Sequence, residues 1–462
     1  LKRIAKLRSI KIYDDKKNII DQEWKNRPEG IKKKIFHLNE KVSGENILSK
    51  KQKLLNLSKY EYLILTSSDS VCWLMNIRGY DLENTPIVFC KAIVTKFFIK
   101  LFIDKEKISS TRQSFFKEVK VYSIMDFENE LLRIPKNKKT LLDSSSSYFY
   151  YDFMIRSGLN PVVADDPCKL IKSQKNKTEI KNAIKFHISD AISLVKFFHW
   201  LERQDFNSSL NELNVSKKLQ SFREENKYFF SLSFPTISAV GASGSIIHYN
   251  PESNSKRLNP GQLYLCDSGA QYVGATTDVT RTILLGENKP KKEYVSKYTK
   301  VLIGHINLAM TKFPKGTKGY QIDSIARYSL WQNGLDYNHG TGHGVGSFLG
   351  VHEGPQSISK RYSNFELKEG MILSNEPGYY KNANYGIRIE NLLLVIQSKF
   401  KDFLEFKNLT LFPYEKDLIE IKMLSLEQKN WINKYHLEIY NKLKRFLTKD
   451  TKSWLYKKTR SI

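Results

Sequence analysis

The chain has 462 residues, 40% of them hydrophobic, and carries 75 Lys+Arg against 48 Asp+Glu for a formal net charge of +27. That length allows two or three domains with a substantial core, and no apolar run approaches the roughly 18 residues that a membrane-spanning helix needs. The basic residues are spread along the chain without an aromatic-interleaved platform, so the charge reads as a solvated surface set by an AT-rich coding bias, with nucleic-acid binding the lesser reading.

Residues 1–10, LKRIAKLRSI, are basic and amphipathic but lack the apolar centre of a signal peptide. Cys72, Cys90, Cys168 and Cys266 lie far apart in sequence with no Cys-x-x-Cys pair, and read as free thiols in a reduced, cytoplasmic compartment. Tyr60 to Thr66 and Pro86 to Val94 are β-rich, with Pro86 expected at the first strand position, where a missing N–H is tolerated. A Gly-containing turn near Arg78-Gly79 separates them. Phe97 to Ile103 reads as a further buried strand, and the alternation of strand and helix signals predicts an α/β domain with a mixed sheet.

A boundary is expected near 166–180, where Asp165-Asp166-Pro167 breaks structure and KSQKNKTEI is polar. A helix is predicted from Thr178 to Arg203, with Ile180, Ala183, Ile184, Ile188, Ala191, Leu194 and Val195 at helical spacing. Gly and Pro become frequent from Phe234 to Gly286, and a last helix is predicted from Ser425 to Phe446.

The second half holds the candidate chemistry. Tyr264 to Ala270 reads as a buried strand carrying Asp267, and Asp278 lies in a second β-rich run ending at Arg281. A hairpin linked at Gly274 would set both acids on one face. Paired buried carboxylates repel, so they need a cation or a proton between them. Asn338 to Gly346 is glycine-dense around His339 and His343, which permits close backbone approach. His352, Glu376 and, in a β pattern, Arg388 and Glu390 follow. Asp267, Asp278, His343, Glu376 and Glu390 offer four carboxylates and one imidazole, a set that suits two oxygen-preferring ions such as Mn²⁺, Co²⁺ or Fe²⁺ better than a thiolate zinc site.

In order, DSGAQY with TTDVTRT, HGTGHGVGSFL with VHEGP, NEPGYY and GIRIEN resemble aminopeptidase P, the Xaa-Pro aminopeptidase family of pita-bread metallopeptidases, in its cytosolic three-domain form. DQEWKNRP from Asp21, WLMNIRGYD from Trp73, SLSFPTI from Ser231 and WINKYH from Trp431 extend the resemblance over nearly the whole chain. It implies a creatinase-like α/β N-terminal domain followed by a pita-bread catalytic domain. Residues 1–14 would be the remnant of a first domain, 15–172 the middle domain and 173–462 the catalytic domain with its C-terminal extension.

The resemblance implies Asp267 on one metal ion, His343 and Glu376 on the other, Asp278 and Glu390 bridging, and a bridging hydroxide as nucleophile with Glu376 moving its proton. His248, His339, His352 and Arg388 would line the substrate site, with His248 and His352 aiding catalysis and Arg388 also orienting a bridging carboxylate from behind. Peptides with proline second would be the substrates, Mn²⁺ the metal, and a homodimer the assembly. A proline dipeptidase and a non-enzymatic binding module of the same fold are the alternatives.

Overall fold

In the computed structural model of the chain, which describes residues 8–9, 11, 19–27, 30–108, 119–206, 209–252, 255–286 and 289–462, the early apolar runs become a six-stranded mixed sheet. Its strands are β1 (Tyr62–Leu65), β2 (Cys90–Val94), β3 (Ile99–Ile103), β4 (Val119–Ser123), β5 (Thr140–Asp143) and β6 (Val162–Ala164), in the order β4-β3-β2-β1-β5-β6. β2 runs antiparallel to both β1 and β3, and the other pairs are parallel. Alternate residues serve opposite faces: Leu63, Leu65, Ala92 and Val94 pack on one side, Ile64, Ile93 and Phe102 on the other.

Two local expectations change. The strand begins at Cys90, not Pro86, because the chain before it pairs with a loop: Gly79 N donates to the Pro86 carbonyl and Asp81 N to that of Ile87. Between the first two strands lies a helix, α1 (Ser68–Leu74), as well as the turn. Residues Ser70 to Leu74 of α1 are all buried, so it has no amphipathic period to reveal it.

Residues 1–33 form a unit of their own, in which Ile19–Glu23 is helical. The segment 1–14, and Pro28 of the DQEWKNRP run, fall wholly or mostly outside the described residues.

At the expected boundary the Asp-Pro step starts a helix rather than ending one. Asp166 caps α2 (Pro167–Ser173) by accepting from Cys168 N at 2.8 Å, and Pro167 sits in the first turn, where its missing N–H costs nothing. Asn176 then caps α3 (Lys177–Glu202) in a reciprocal box with Glu179. The predicted helix of 178–203 matches α3 to within a residue at each end.

In the second half, β7 (Ile237–Val240), β8 (Leu263–Ser268) and β9 (Val279–Leu284) form one antiparallel sheet. A four-stranded sheet has the order Lys312–Pro314 (β10), Phe403–Asn408 (β16), Asn391–Gln397 (β15) and Ile372–Asn375 (β12). Gly342–His343 (β11) bonds to Ser357–Ile358, and Gly378–Lys381 (β13) pairs with Tyr385–Arg388 (β14). The main core joins α3, β8, β9, α4 (Lys292–Met310) and the C-terminal helix Leu426–Leu443, which covers most of the predicted 425–446. A further helix, Lys449–Lys458, was not expected. No helix among the described residues is long and apolar enough to cross a membrane, and the four cysteines are free and buried.

β8 and β9 pair as expected, with Asp267 opposite Thr280, but the link between them is not a tight turn. It carries a second small hairpin, Ala270–Tyr272 with Ala275–Thr276, and Gly274 turns that inner hairpin at φ +117.

The short helical turn Gly241–Ser245 lies directly on β14, bringing the segment that bears His248 against the strand that bears Arg388. Only glycine allows the contact: a Cβ on Gly386 would stand 1.7 Å from the Gly244 carbonyl oxygen. Gly386→Ala is therefore expected to lower stability by about 3 kcal/mol, read as a fall in the denaturant midpoint at unchanged slope; an unchanged midpoint contradicts the packing.

Candidate metal centre

All nine site residues expected from the sequence line one cleft of about 550 Å³, together with Phe234, Pro235, Ile237, Ile247, Tyr249 and Asn250. Asp267 sits near the end of β8 and Asp278 directly precedes β9. His343 ends β11, Glu376 directly follows β12, and Glu390 lies in the step between β14 and β15. The acids thus come from strand ends, where backbone is fixed by its ladder and the side chain can leave the sheet. A larger cavity of about 1050 Å³ lies beside Glu202, Glu415 and Lys458, whose charges pair with each other.

Two close backbone contacts place His343. A Cβ on Gly342 would lie 2.0 Å from the Ser374 carbonyl oxygen, and one on Gly344 2.0 Å from that of Glu353. His343 Nδ1 is 3.0 Å from the Gly344 carbonyl. A carbonyl only accepts, so Nδ1 carries the proton and the lone pair of Nε2 faces the acids. That Nε2 is 3.5 Å from both Asp278 Oδ2 and Glu376 Oε1.

The carboxylates are set from behind. Glu390 Oε2 accepts from Thr280 Oγ1 at 2.8 Å, and Glu376 Oε1 from Ser374 Oγ at 3.0 Å. Asp267 Oδ2 accepts from Arg388 Nη2 at 2.6 Å. Arg388, expected to orient a carboxylate of the site, bonds Asp267 directly from β14, which runs beside β8, and its Nε donates at 3.3 Å to Thr280 Oγ1, the hydroxyl that in turn donates to Glu390. Arg388 also donates to Tyr380 and to the Ile247 carbonyl, and its side chain lines the cleft.

Burial, then the charges of Asp267 and Glu376, push the Asp278 carboxyl well above the usual range. Burial followed by Asp278, Asp267 and Glu376 does the same to Glu390, and burial raises Glu376. Asp267 Oδ1 and Asp278 Oδ1 are buried with no hydrogen-bond partner, and donor atoms of Asp278, His343 and Glu390 all lie within 4.8 Å of one another. Clustered acids, orphaned oxygens and an inward imidazole lone pair together fit divalent cations of the oxygen-preferring kind.

The three remaining histidines line the walls. His352 stands edge-on to His343, with ring centroids 4.3 Å apart at 90°. Desolvation, then His343 and His248, hold its pKa down to about 4, so its imidazole is neutral at neutral pH. His339 Nδ1 meets the Gly340 carbonyl at 2.8 Å and Nε2 meets Tyr380 Oη at 2.8 Å. The carbonyl fixes the tautomer, so Tyr380 donates to His339 while accepting from Arg388 Nη1 at 2.8 Å. Burial lowers His339 to about 3. Tyr380 thereby ties Asp267, through Arg388, to His339. Nothing in the sequence marks Tyr380 beyond its place in NEPGYY. Thr280 and Arg281 were also missed as supports; Arg281 Nη1 donates to the Glu390 carbonyl at 2.6 Å.

Residues 185–397 match the family model of metallopeptidase family M24, residues 26–179 that of the creatinase/prolidase N-terminal domain, and residues 402–462 that of the C-terminal region of peptidase M24. A probable Xaa-Pro aminopeptidase P of Laccaria bicolor is 39% identical over 96% of this chain and 72% of its own length. Xaa-Pro aminopeptidase 1 of Dictyostelium discoideum is 39% identical over 96% of the chain and 74% of its own. Among solved structures, X-prolyl aminopeptidase from Caenorhabditis elegans, described as a cytosolic enzyme with a di-nuclear active site, superposes with a TM-score of 0.95 at 32% identity, over all of this chain and 78% of that one. A Xaa-Pro dipeptidase from Bacillus anthracis shares the fold at a TM-score of 0.65 and 22% identity, over 80% and 99%.

Excess Mn²⁺ is expected to raise the melting temperature, by an amount corresponding to about 2.7 kcal/mol at a hundred times the dissociation constant. The acids of the metal-free cluster have folded pKa values above their unfolded ones, so their stabilising contribution is present in acid and lost as pH rises through the folded values. The Mn²⁺-induced gain should therefore grow from pH 5 to pH 8, as measured by calorimetry with and without metal; a gain independent of pH contradicts the cluster's role.

Proposed function

The chain belongs to the Xaa-Pro aminopeptidases of metallopeptidase family M24, and from that premise we propose that it removes the N-terminal residue from peptides whose second residue is proline. The observation that carries this is the convergence of four acids and His343 in one cleft walled by His248, His339 and His352. We assign Asp267 to one ion, His343 and Glu376 to the other, and Asp278 and Glu390 to both. Two divalent ions held there supply Lewis acidity and an activated water nucleophile, as in other aminopeptidases.

The chain's own residues do the rest. Glu376, whose carboxyl is raised by burial, is suited to take the nucleophile's proton and pass it to the leaving nitrogen. His352 and His248 each offer an N–H toward the oxyanion that develops on the scissile carbonyl. His339, held neutral by burial and oriented by its bonds to Gly340 and Tyr380, presents a ring face for proline. A bond before proline has no N–H, so recognition by ring shape replaces the hydrogen bond that general peptidases use. Arg388 holds the Asp267 carboxylate in place.

The oxygen-rich donor set favours Mn²⁺. A cytoplasmic location is proposed from the cytosolic neighbour, and a homodimer from the family resemblance. The division into 15–172 and 173–462 follows the same resemblance. The full-length likeness to an aminopeptidase favours this reading over a dipeptidase, whose likenesses at 19–24% identity extend to the fold alone. The presence of all five proposed ligands disfavours a non-enzymatic module.

With Mn²⁺, an Arg-Pro-Pro peptide is expected to release free arginine, measured by chromatography; turnover of Xaa-Pro dipeptides alone would make the chain a dipeptidase. Asp278→Asn and Glu390→Gln should each reduce turnover to background. His352→Ala should keep both ions, counted by mass spectrometry of the metal, while turnover falls by about 10²–10³-fold. Loss of metal on that change would instead make His352 a ligand.

A further inference from the structure

Directly after His352 stands an acid that turns away from the metal cleft. Glu353 is 5% exposed, and each of its carboxylate oxygens has its own lysine: Oε2 accepts from Lys172 Nζ at 2.9 Å and Oε1 from Lys175 Nζ at 2.7 Å. Lys172 Nζ also donates to Asp69 Oδ2 at 2.6 Å, and Lys175 Nζ to the Lys172 carbonyl at 2.9 Å. The result is an alternating row, Asp69–Lys172–Glu353–Lys175, of zero net charge. Its two lysines are buried, and only Asp69 reaches solvent.

The row joins the region that matches the creatinase/prolidase N-terminal model to the one that matches metallopeptidase family M24. Asp69 lies on α1 beside the six-stranded sheet, Lys172 in α2, and Lys175 just before α3. Glu353 belongs to the catalytic half. Buried ion pairs are weak net stabilisers, and apolar side chains of similar size usually serve stability as well. What two-point ionic attachment supplies is a fixed position. The backbone adds a third point: Glu353 N donates to the Gly344 carbonyl at 2.7 Å, the same oxygen that His343 Nδ1 meets at 3.0 Å. Glu353 is thus fixed through side chain and backbone, one residue from His352 and one carbonyl from His343.

We propose that this row is a positioning device for His352: it sets the placement of that histidine against His343 and makes it depend on how the first-half domain seats on the catalytic half. Glu353, Lys172 and Asp69 are then positioning residues, acting through His352 without touching substrate. The inference rests on the reading of His352 as a catalytic group of an Xaa-Pro aminopeptidase.

The test uses the full chain loaded with Mn²⁺, Arg-Pro-Pro as substrate, and the double variant Glu353→Gln/Lys175→Met, which removes the opposed charges at one end of the row together and leaves Lys172 paired with Asp69. The expected result is full metal content, KM within about twofold, and kcat lowered about 10–100-fold, the scale of a small misplacement of a catalytic group. Lys175→Arg, which keeps the charge, should restore kcat to within a few-fold of wild type on the same scale. A double variant with a lower melting temperature but wild-type kcat per loaded site overturns the proposal, since that is what a purely structural row would give. Should the double variant not fold, Asp69→Asn at the solvent end is expected to lower kcat at constant KM; no change in kcat overturns it equally. With diamagnetic Zn²⁺ in place of paramagnetic Mn²⁺, the His352 imidazole resonance in NMR gives a reading independent of turnover. It should move in the variants, and an unmoved resonance counts against the row even if the wild type proves to cleave another peptide, an outcome that would defeat the proposed activity alone.

Discussion

Four carboxylates that repel one another hold the key position in this structure. Asp267, Asp278 and Glu390 are buried and Glu376 nearly so, and burial together with their mutual charge drives Asp278 and Glu390 far up in pKa. A fold does not gather such groups at no cost; each uncompensated buried charge is expensive. The arrangement makes sense as an apparatus for holding cations, and other features of the catalytic half serve it. Strand ends deliver the acids, glycines let the His343 loop lie flat on its neighbours, and Thr280, Ser374 and Arg388 fix the oxygens.

The same logic extends outward in layers. Arg388 and Tyr380 connect Asp267 to His339, so the carboxylate cluster and the histidine wall of the cleft share one hydrogen-bond chain. On the opposite wall, Glu353 and its lysines connect His352 to the first-half domain. The carboxylate cluster and its neighbouring histidines are therefore held by side chains whose partners are distant in sequence.

Much of the site was legible before the fold. The acids stand at ends of β-patterned runs, and the glycine-dense stretch around His343 announces close backbone approach, which Gly342 and Gly344 bear out. α3 was visible from its apolar spacing, and β1, β3 and β8 from their composition. What failed to show was whatever depends on long-range contact. α1 is buried along most of its length and has no polar face to mark it. Pro86 was placed in a strand because its neighbours are apolar, whereas the backbone there pairs with a loop. Lys172 and Lys175 fell in a stretch that reads as a solvated linker, yet both are buried against Glu353. Charge in sequence marks a surface only until an opposite charge arrives from elsewhere in the chain, and no local pattern reveals that arrival.

The central claim is that the acids and His343 hold two ions. Anomalous diffraction from crystals grown with Mn²⁺, collected on both sides of the manganese edge, tests it most directly. The account predicts two peaks a few ångströms apart, one beside Asp267, one beside His343 and Glu376, with Asp278 and Glu390 between them. A single peak, or peaks away from these side chains, would contradict it.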